Sequence, residues 1–198
     1  MSEPGTLLHG ARVSLPRPAW LFVLVVAAAA TAVLGLYVPG AAHQLSGGTW
    51  RDVWPPLLYA AGLVAAERFI VKVPLRNHRF AVGVCDMVIV LGVVFLDTPV
   101  LVLATGLGFA VGQWLFEAEP VKRLFNVAQF VLSVTVAALV ASGLVGLLSG
   151  SEVLGVQFRV EAAGSFEPAL AAVWVIGMAA FFLVNHSLVS TVISLSVD

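Results

Sequence analysis

Apolar residues fall into six long runs, and polar and charged residues collect between them. The runs cover residues 19–38, 56–73, 80–96, 99–116, 121–149 and 168–195. A helix crosses the hydrocarbon core of a bilayer with about 20 predominantly apolar residues. Each run is long enough, so the pattern predicts an all-α, polytopic membrane bundle of about six transmembrane helices. The stretches "WPPL", "DTPV", "EAEPV" and "FEPAL" place proline at four of the expected starts, where its missing N–H has no intrahelical partner in any case. The first run exceeds the apolar core of a secretory signal and is read as a retained helix.

The connections between runs are mostly short, which makes successive helices antiparallel neighbours. Residues 1–17 read as a flexible cytoplasmic tail and residues 18–198 as one transmembrane domain. The outer connection before the second run, with Gly47-Gly48 and the Trp50/Trp54 pair, is expected to cover the bundle at the interface. In the last outer connection Val156, Phe158 and Val160 alternate with Gln157, Arg159 and Glu161, which suggests a brief extended segment.

Charge then sets the orientation. Of ten Lys and Arg residues, eight lie on the side of the N-terminus: Arg12, Arg17, Arg68, Lys72, Arg76, Arg79, Lys122 and Arg123. Only Arg51 and Arg159 lie on the other side. Lys and Arg accumulate in cytoplasmic loops, so both termini are expected in the cytoplasm of a cell whose inner (plasma) membrane holds the chain. The five tryptophans fall near expected helix ends, where the ring suits the interface.

Composition agrees with the pattern. The chain has 198 residues, 60% hydrophobic and 11% charged, with a mean hydropathy of +1.03. Soluble domains carry about 25% charged residues. The formal net charge of −1 gives no reason to expect a nucleic-acid partner. The bilayer is the expected partner, together with a second copy or a cytoplasmic signalling protein. The single cysteine, Cys85, excludes an internal disulfide and a Cys-rich metal site.

Within this apolar background the polar residues are the informative ones. Asp86 sits in "FAVGVCDMVIVLGVVFL", about 8–9 Å above the cytoplasmic edge on this topology, and a carboxylate at such a depth needs a partner. Glu67 and Arg68 lie near the inner end of the second run, at the same level. Asn126 and Gln129 lie on one face of the fifth helix, and His186 and Ser190 on a stripe of the sixth. These seven residues form a candidate binding or coupling cluster in the cytoplasmic half. Asp86 is expected within hydrogen-bond reach of Arg68, Asn126, Gln129 or His186. Gly108 and Gly112 have the Gly-x-x-x-Gly spacing that lets helices approach closely. No metalloprotease, nucleophile-elbow or phosphate-loop motif is present, so no enzyme activity, metal or cofactor is expected.

The stretches "AERFIVKVPLRNHRFAVGVCDMVIVLGVVFL", "LFNVAQFVLS" and "NHSLVSTVISLS" together resemble the amino-terminal membrane region of actinobacterial signalling proteins with GGDEF/EAL or HD-GYP output domains. The matching residues are Glu67-Arg68-Phe69, the basic loop Arg76 to Arg79, Asp86, and Phe125 to Phe130. The chain carries Asp86 where that family tends to carry glutamate. The resemblance implies a non-catalytic membrane sensor or regulatory domain, as a fragment of such a protein or a stand-alone relative. Two other functions fit the pattern: a small-solute binding or uptake subunit of a transporter, and a membrane scaffold or assembly protein.

Overall fold

The computed structural model describes residues 16–75, 78–117, 119–149 and 168–197. The described residues form six helices and one hairpin: α1 (Arg17–Ser46), α2 (Trp50–Glu67), β1 (Ile70–Leu75), β2 (His78–Gly83), α3 (Cys85–Phe95), α4 (Thr98–Phe116), α5 (Pro120–Ser149) and α6 (Pro168–Val197). Among them α1, α4, α5 and α6 are long and apolar enough to cross a membrane. The expected tail and the alternating segment at 156–161 lie outside the described residues.

Three boundaries differ from expectation, each for a physical reason. Helix α1 does not stop at Pro39 but runs on to Ser46. One proline removes one backbone hydrogen bond, and here the turn around it is held by packing. Ala41 is buried, and Gly40 lies against the Pro99 ring at the start of α4. The connection expected to form a cover is therefore mostly helix, with only Gly47 to Thr49 between α1 and α2. Helix α2 begins at Trp50, six residues before the expected start, because the Thr49 N–H donates to Asp52 Oδ2 at 2.8 Å and closes a capping box.

The third difference is the largest. Residues expected to continue the second helix and open the third instead pair as antiparallel strands, from Ile70↔Gly83 to Leu75↔His78. The sequence "IVKVPL" alternates apolar with polar or breaking residues, which is a strand period, and Pro74 is incompatible with a helix interior. The third run is thus shortened to the 11 residues of α3. These span about 16 Å, roughly half a hydrocarbon core.

Contacts fix how the helices run. Phe22 near the start of α1 meets Phe125 near the start of α5, with ring centroids 6.3 Å apart. Leu188 and Val192 near the end of α6 pack in the same cluster. Glu67 at the end of α2 meets Gln113 near the end of α4. One end of the bundle therefore gathers Arg17, Arg68, Lys122, Arg123 and the hairpin. The other end gathers Gln44, Arg51, Asp52 and Asp97.

Helices α4 and α5 are central, with about half of their most apolar stretch buried (50% and 56%); for α1 and α6 the figure is 17%. Large apolar side chains such as Leu21, Val25, Leu36, Val175 and Leu183 cover the outside. An apolar exterior is the expected surface of a protein dissolved in lipid, where helices associate through close packing and hydrogen bonds rather than through exclusion of water. The inside shows that packing. The rings of Phe109 and Phe130 stack with centroids 3.8 Å apart, joining α4 to α5, and Phe130 continues to Phe181 of α6 at 6.2 Å.

Glycine sets the tightest approach. A Cβ on Gly108 of α4 would lie 3.0 Å from the carbonyl oxygen of Ala60 and 3.1 Å from Leu63 Cβ, both on α2. Gly108→Leu should therefore separate α2 from α4 and lower stability by about 1–3 kcal/mol, the usual range for overpacking. Gly143→Ala, where a Cβ meets nothing within 4 Å, should be neutral. Thermal unfolding of the two variants in detergent checks this, and equal midpoints would contradict it.

Candidate functional site

At the basic end, polar groups of α2, α4 and α5 come together. Glu67 is the last residue of α2. Its Oε1 accepts a hydrogen bond from Gln113 Nε2 at 2.8 Å. Gln113 Oε1 accepts in turn from Asn126 Nδ2 at 2.8 Å. An ionised carboxylate only accepts, which turns the Gln113 amide so that its NH2 faces Glu67. Its oxygen then faces α5 and takes the Asn126 donor. One relay thus links three helices with a fixed direction.

Gly112 makes the relay possible. A Cβ there would lie 2.5 Å from Glu67 Oε2, so the carboxylate fills the space that a side chain would take. Oε2 is buried and has no hydrogen-bond partner among the described residues. Beside the relay lies a cavity of about 290 Å³ whose wall includes Glu67, Gln113, Asn126, Glu117 and Cys85. Nearby, Arg123 donates to the Glu117 carbonyl oxygen, and its guanidinium lies 5.2 Å from the centroid of the Trp114 ring.

The expected cluster divides. Glu67 and Asn126 are in the relay. Gln129 is buried one turn further along α5, with its Oε1 unpartnered, as is Ser133 Oγ above it. Arg68 is exposed and turns to the face of Phe116, 5.9 Å from the ring centroid, rather than to a carboxylate. His186 and Ser190 are exposed, because α6 packs through Val173, Gly177 and Phe181 on another face.

Asp86 departs from expectation. Among the described residues no hydrogen bond joins it to Arg68, Asn126, Gln129 or His186. It sits in the first turn of α3 and is half-buried. There the free N–H groups and the positive end of the helix dipole favour a negative charge. The carboxylate that looked stranded within a long helix stands at the mouth of a short one.

Gln113 was not anticipated, although it is the one amide in the fourth run and falls at the level of Asn126 on the same topology. Two other polar contacts were also missed. Tyr59 and Thr105 Oγ1 are 3.0 Å apart in the buried middle of the α2–α4 interface. Thr105 donates to the Leu101 carbonyl at 2.8 Å, so the tyrosine hydroxyl is the donor to threonine. At the far end Gln44 Nε2 donates to Asp97 Oδ2 at 2.9 Å, beside a cavity of about 450 Å³ that His43, Arg51 and Asp52 help to line. Among the described residues no three His, Cys, Asp or Glu side chains converge as a metal site would require.

Searches with family models, against curated proteins and against solved structures found no match to the chain. The site therefore rests on its own geometry.

The relay makes a quantitative prediction. Gln113→Leu orphans a group on each side and should destabilise by about 1–3 kcal/mol. Asn126→Leu orphans only one and should cost less. A double-mutant cycle on this pair should give a coupling of about 0.6–1.7 kcal/mol, the range for hydrogen bonds between membrane helices. Additive effects in a detergent unfolding assay would show that the two amides act independently.

Proposed function

We propose that the chain is an integral membrane sensor or regulatory domain of the kind that precedes GGDEF/EAL or HD-GYP output domains. In this reading the chain passes six times between the two faces of the inner membrane with both termini cytoplasmic; α1, α4, α5 and α6 cross in full, α2 makes the second passage, and the short α3 makes the third only together with the residues that flank it. The observation that carries the reading is the Glu67–Gln113–Asn126 relay, which ties three helices together at the basic end beside a cavity. A ligand or partner acting there changes the packing of α2, α4 and α5 together. That is how a local polar event biases a two-state bundle. The hairpin lies at the same end and provides a surface for a cytoplasmic partner or a second copy.

The cavity also favours small-solute binding as part of a transporter. Carriers commonly bind their substrates with unwound helices near the bilayer midplane, whereas this cavity sits at the end of the bundle between continuous helices. The sensor reading accounts for both features. A pure scaffold has no use for a carboxylate beside an open cavity.

Topology is the first test. Reporter fusions after Asp198 should report cytoplasm, and reporters inserted within residues 151–167 should report the opposite side. A cytoplasmic signal from the second position would overturn the six-crossing arrangement.

Coupling is the second. Spin labels at Leu115→Cys and Ser196→Cys, in a Cys85→Ala background, should give two distance populations. Asn126→Leu should change their ratio while helical content is retained. A single population, unmoved by Asn126→Leu, would leave only the scaffold.

A further inference from the structure

We propose that two copies of this chain pair in the membrane through the outward face of α6. The inference deepens the sensor reading and rests on it for its meaning: a helix pressed against its own copy carries a change at the relay from one copy to the other. Packing fixes which face is free. Met178, Phe181, Leu188, Val189 and Val192 turn inward to the two core clusters. On the opposite side run Ile176, Ala180, Leu183, Ser187, Ser190 and Ser194. Ala180 is half-buried and the other five are exposed. Ile176, Leu183 and Ser190 recur every seven residues, as do Ala180, Ser187 and Ser194. That repeat is the seam of two helices wound around each other. It extends for about 27 Å, close to the roughly 30 Å thickness of the hydrocarbon core.

The second support is the state of the hydroxyls. A serine or threonine within a helix can donate to the carbonyl one turn back, and Thr31, Thr105, Thr135, Thr191 and Ser196 do so. The hydroxyls of Ser187, Ser190 and Ser194 do not. They make no hydrogen bond among the described residues, and they lie exposed on a helix apolar enough to cross the membrane. Lipid tails offer them nothing. Helix α1 faces outward to the same degree, but its exposed Thr31 is satisfied within the helix. The need for an outside polar partner therefore falls on α6.

The seam complements itself, which identifies the partner as a second copy. Two chains inserted in the same direction and related by a two-fold axis along the membrane normal bring α6 beside α6 in parallel, so each seam residue faces its equivalent. A hydroxyl both donates and accepts. Each of the three serines can thus bond its counterpart, and their small size lets the helices come close. Ile176 and Leu183 meet as apolar pairs further along. The flanks agree. His186 and Thr191 border the seam on either side, at positions that meet across a parallel pair. Thr191 commits its proton to the Ser187 carbonyl, which leaves its oxygen to accept from an imidazole N–H of the second copy. The pairing is also connected to the relay, because the Phe130 ring stacks with Phe109 of α4 on one side and Phe181 of α6 on the other.

The test is disulfide cross-linking of the full chain in lipid vesicles, in a Cys85→Ala background. Single cysteines replace each residue from Leu183 to Ser194 in turn, and one replaces Val25 on the exposed side of α1 as the measure of random collision. A disulfide needs Cα atoms within about 7 Å, so covalent dimers should form best at 183, 187, 190 and 194 and only at background level at 25. Energy transfer between donor- and acceptor-labelled copies, followed on dilution in lipid, then reads the affinity. Ser187→Ala, Ser190→Ala and Ser194→Ala combined should weaken pairing about tenfold, the loss expected for several interhelical hydrogen bonds. These substitutions leave the inward face untouched, so helical content should not change, and Thr31→Ala on α1 should not affect pairing. Cross-linking no better than at 25, yields without the seven-residue pattern, adducts of another mass, or pairing unchanged in the triple variant would overturn the proposal. Spin-label distances read in labelled chain diluted into excess unlabelled chain lie within one copy, so failure of the pairing is distinguishable from failure of the sensor reading.

Discussion

In hydrocarbon a polar side chain can turn only to other polar groups of the protein, and an unpaired one costs several kcal/mol. That constraint explains where this bundle is tightly joined. The α2–α4 seam carries a buried Tyr59–Thr105 pair at its middle and the Glu67–Gln113 pair at the basic end. Between these points the glycines of α4 bring the two backbones close, and short separation makes the hydrogen bonds geometrically possible. Close packing and polar pairing are here one device. Helices α1 and α6, which face outward over most of their length, bring few such contacts.

The same constraint separates what was legible in the sequence from what was not. Long apolar runs and proline starts located α4, α5 and α6 to within a residue or two, because an apolar run of that length has little alternative in lipid. The extent of α2 and α3 was hidden because hydropathy does not distinguish an apolar strand from an apolar helix. "IVKVPL" and "HRFAVG" have the β-branched residues and the alternation of a hairpin, yet they also prolong hydrophobic runs on either side. Pro74 was the local signal. The misplaced α3 start also misplaced Asp86, because a residue in the first turn of a helix has free N–H groups nearby and one in the middle has none.

For the site, depth along the chain was informative and rotation was not. Glu67 and Asn126 were found because they share a level. His186 and Ser190 share that level too, but α6 turns their side away from the interior. No single-helix pattern gives that rotation when the whole helix is apolar. Gln113 satisfied the same depth criterion and connects the other two. Its neighbours Gly108 and Gly112 mark the seam along which it works.

Gly112 and Glu67 occupy one space between them, since the carboxylate stands where a side chain at 112 would be. Neither position is therefore free to vary alone. An alanine at 112 displaces the acid, and shortening the acid at 67 to aspartate leaves a void beside the glycine. Among descendants of this sequence the two positions should change as a pair, a larger residue at 112 accompanying a smaller or uncharged one at 67. Such paired change would be a trace of the seam in inheritance, visible without any structure at all.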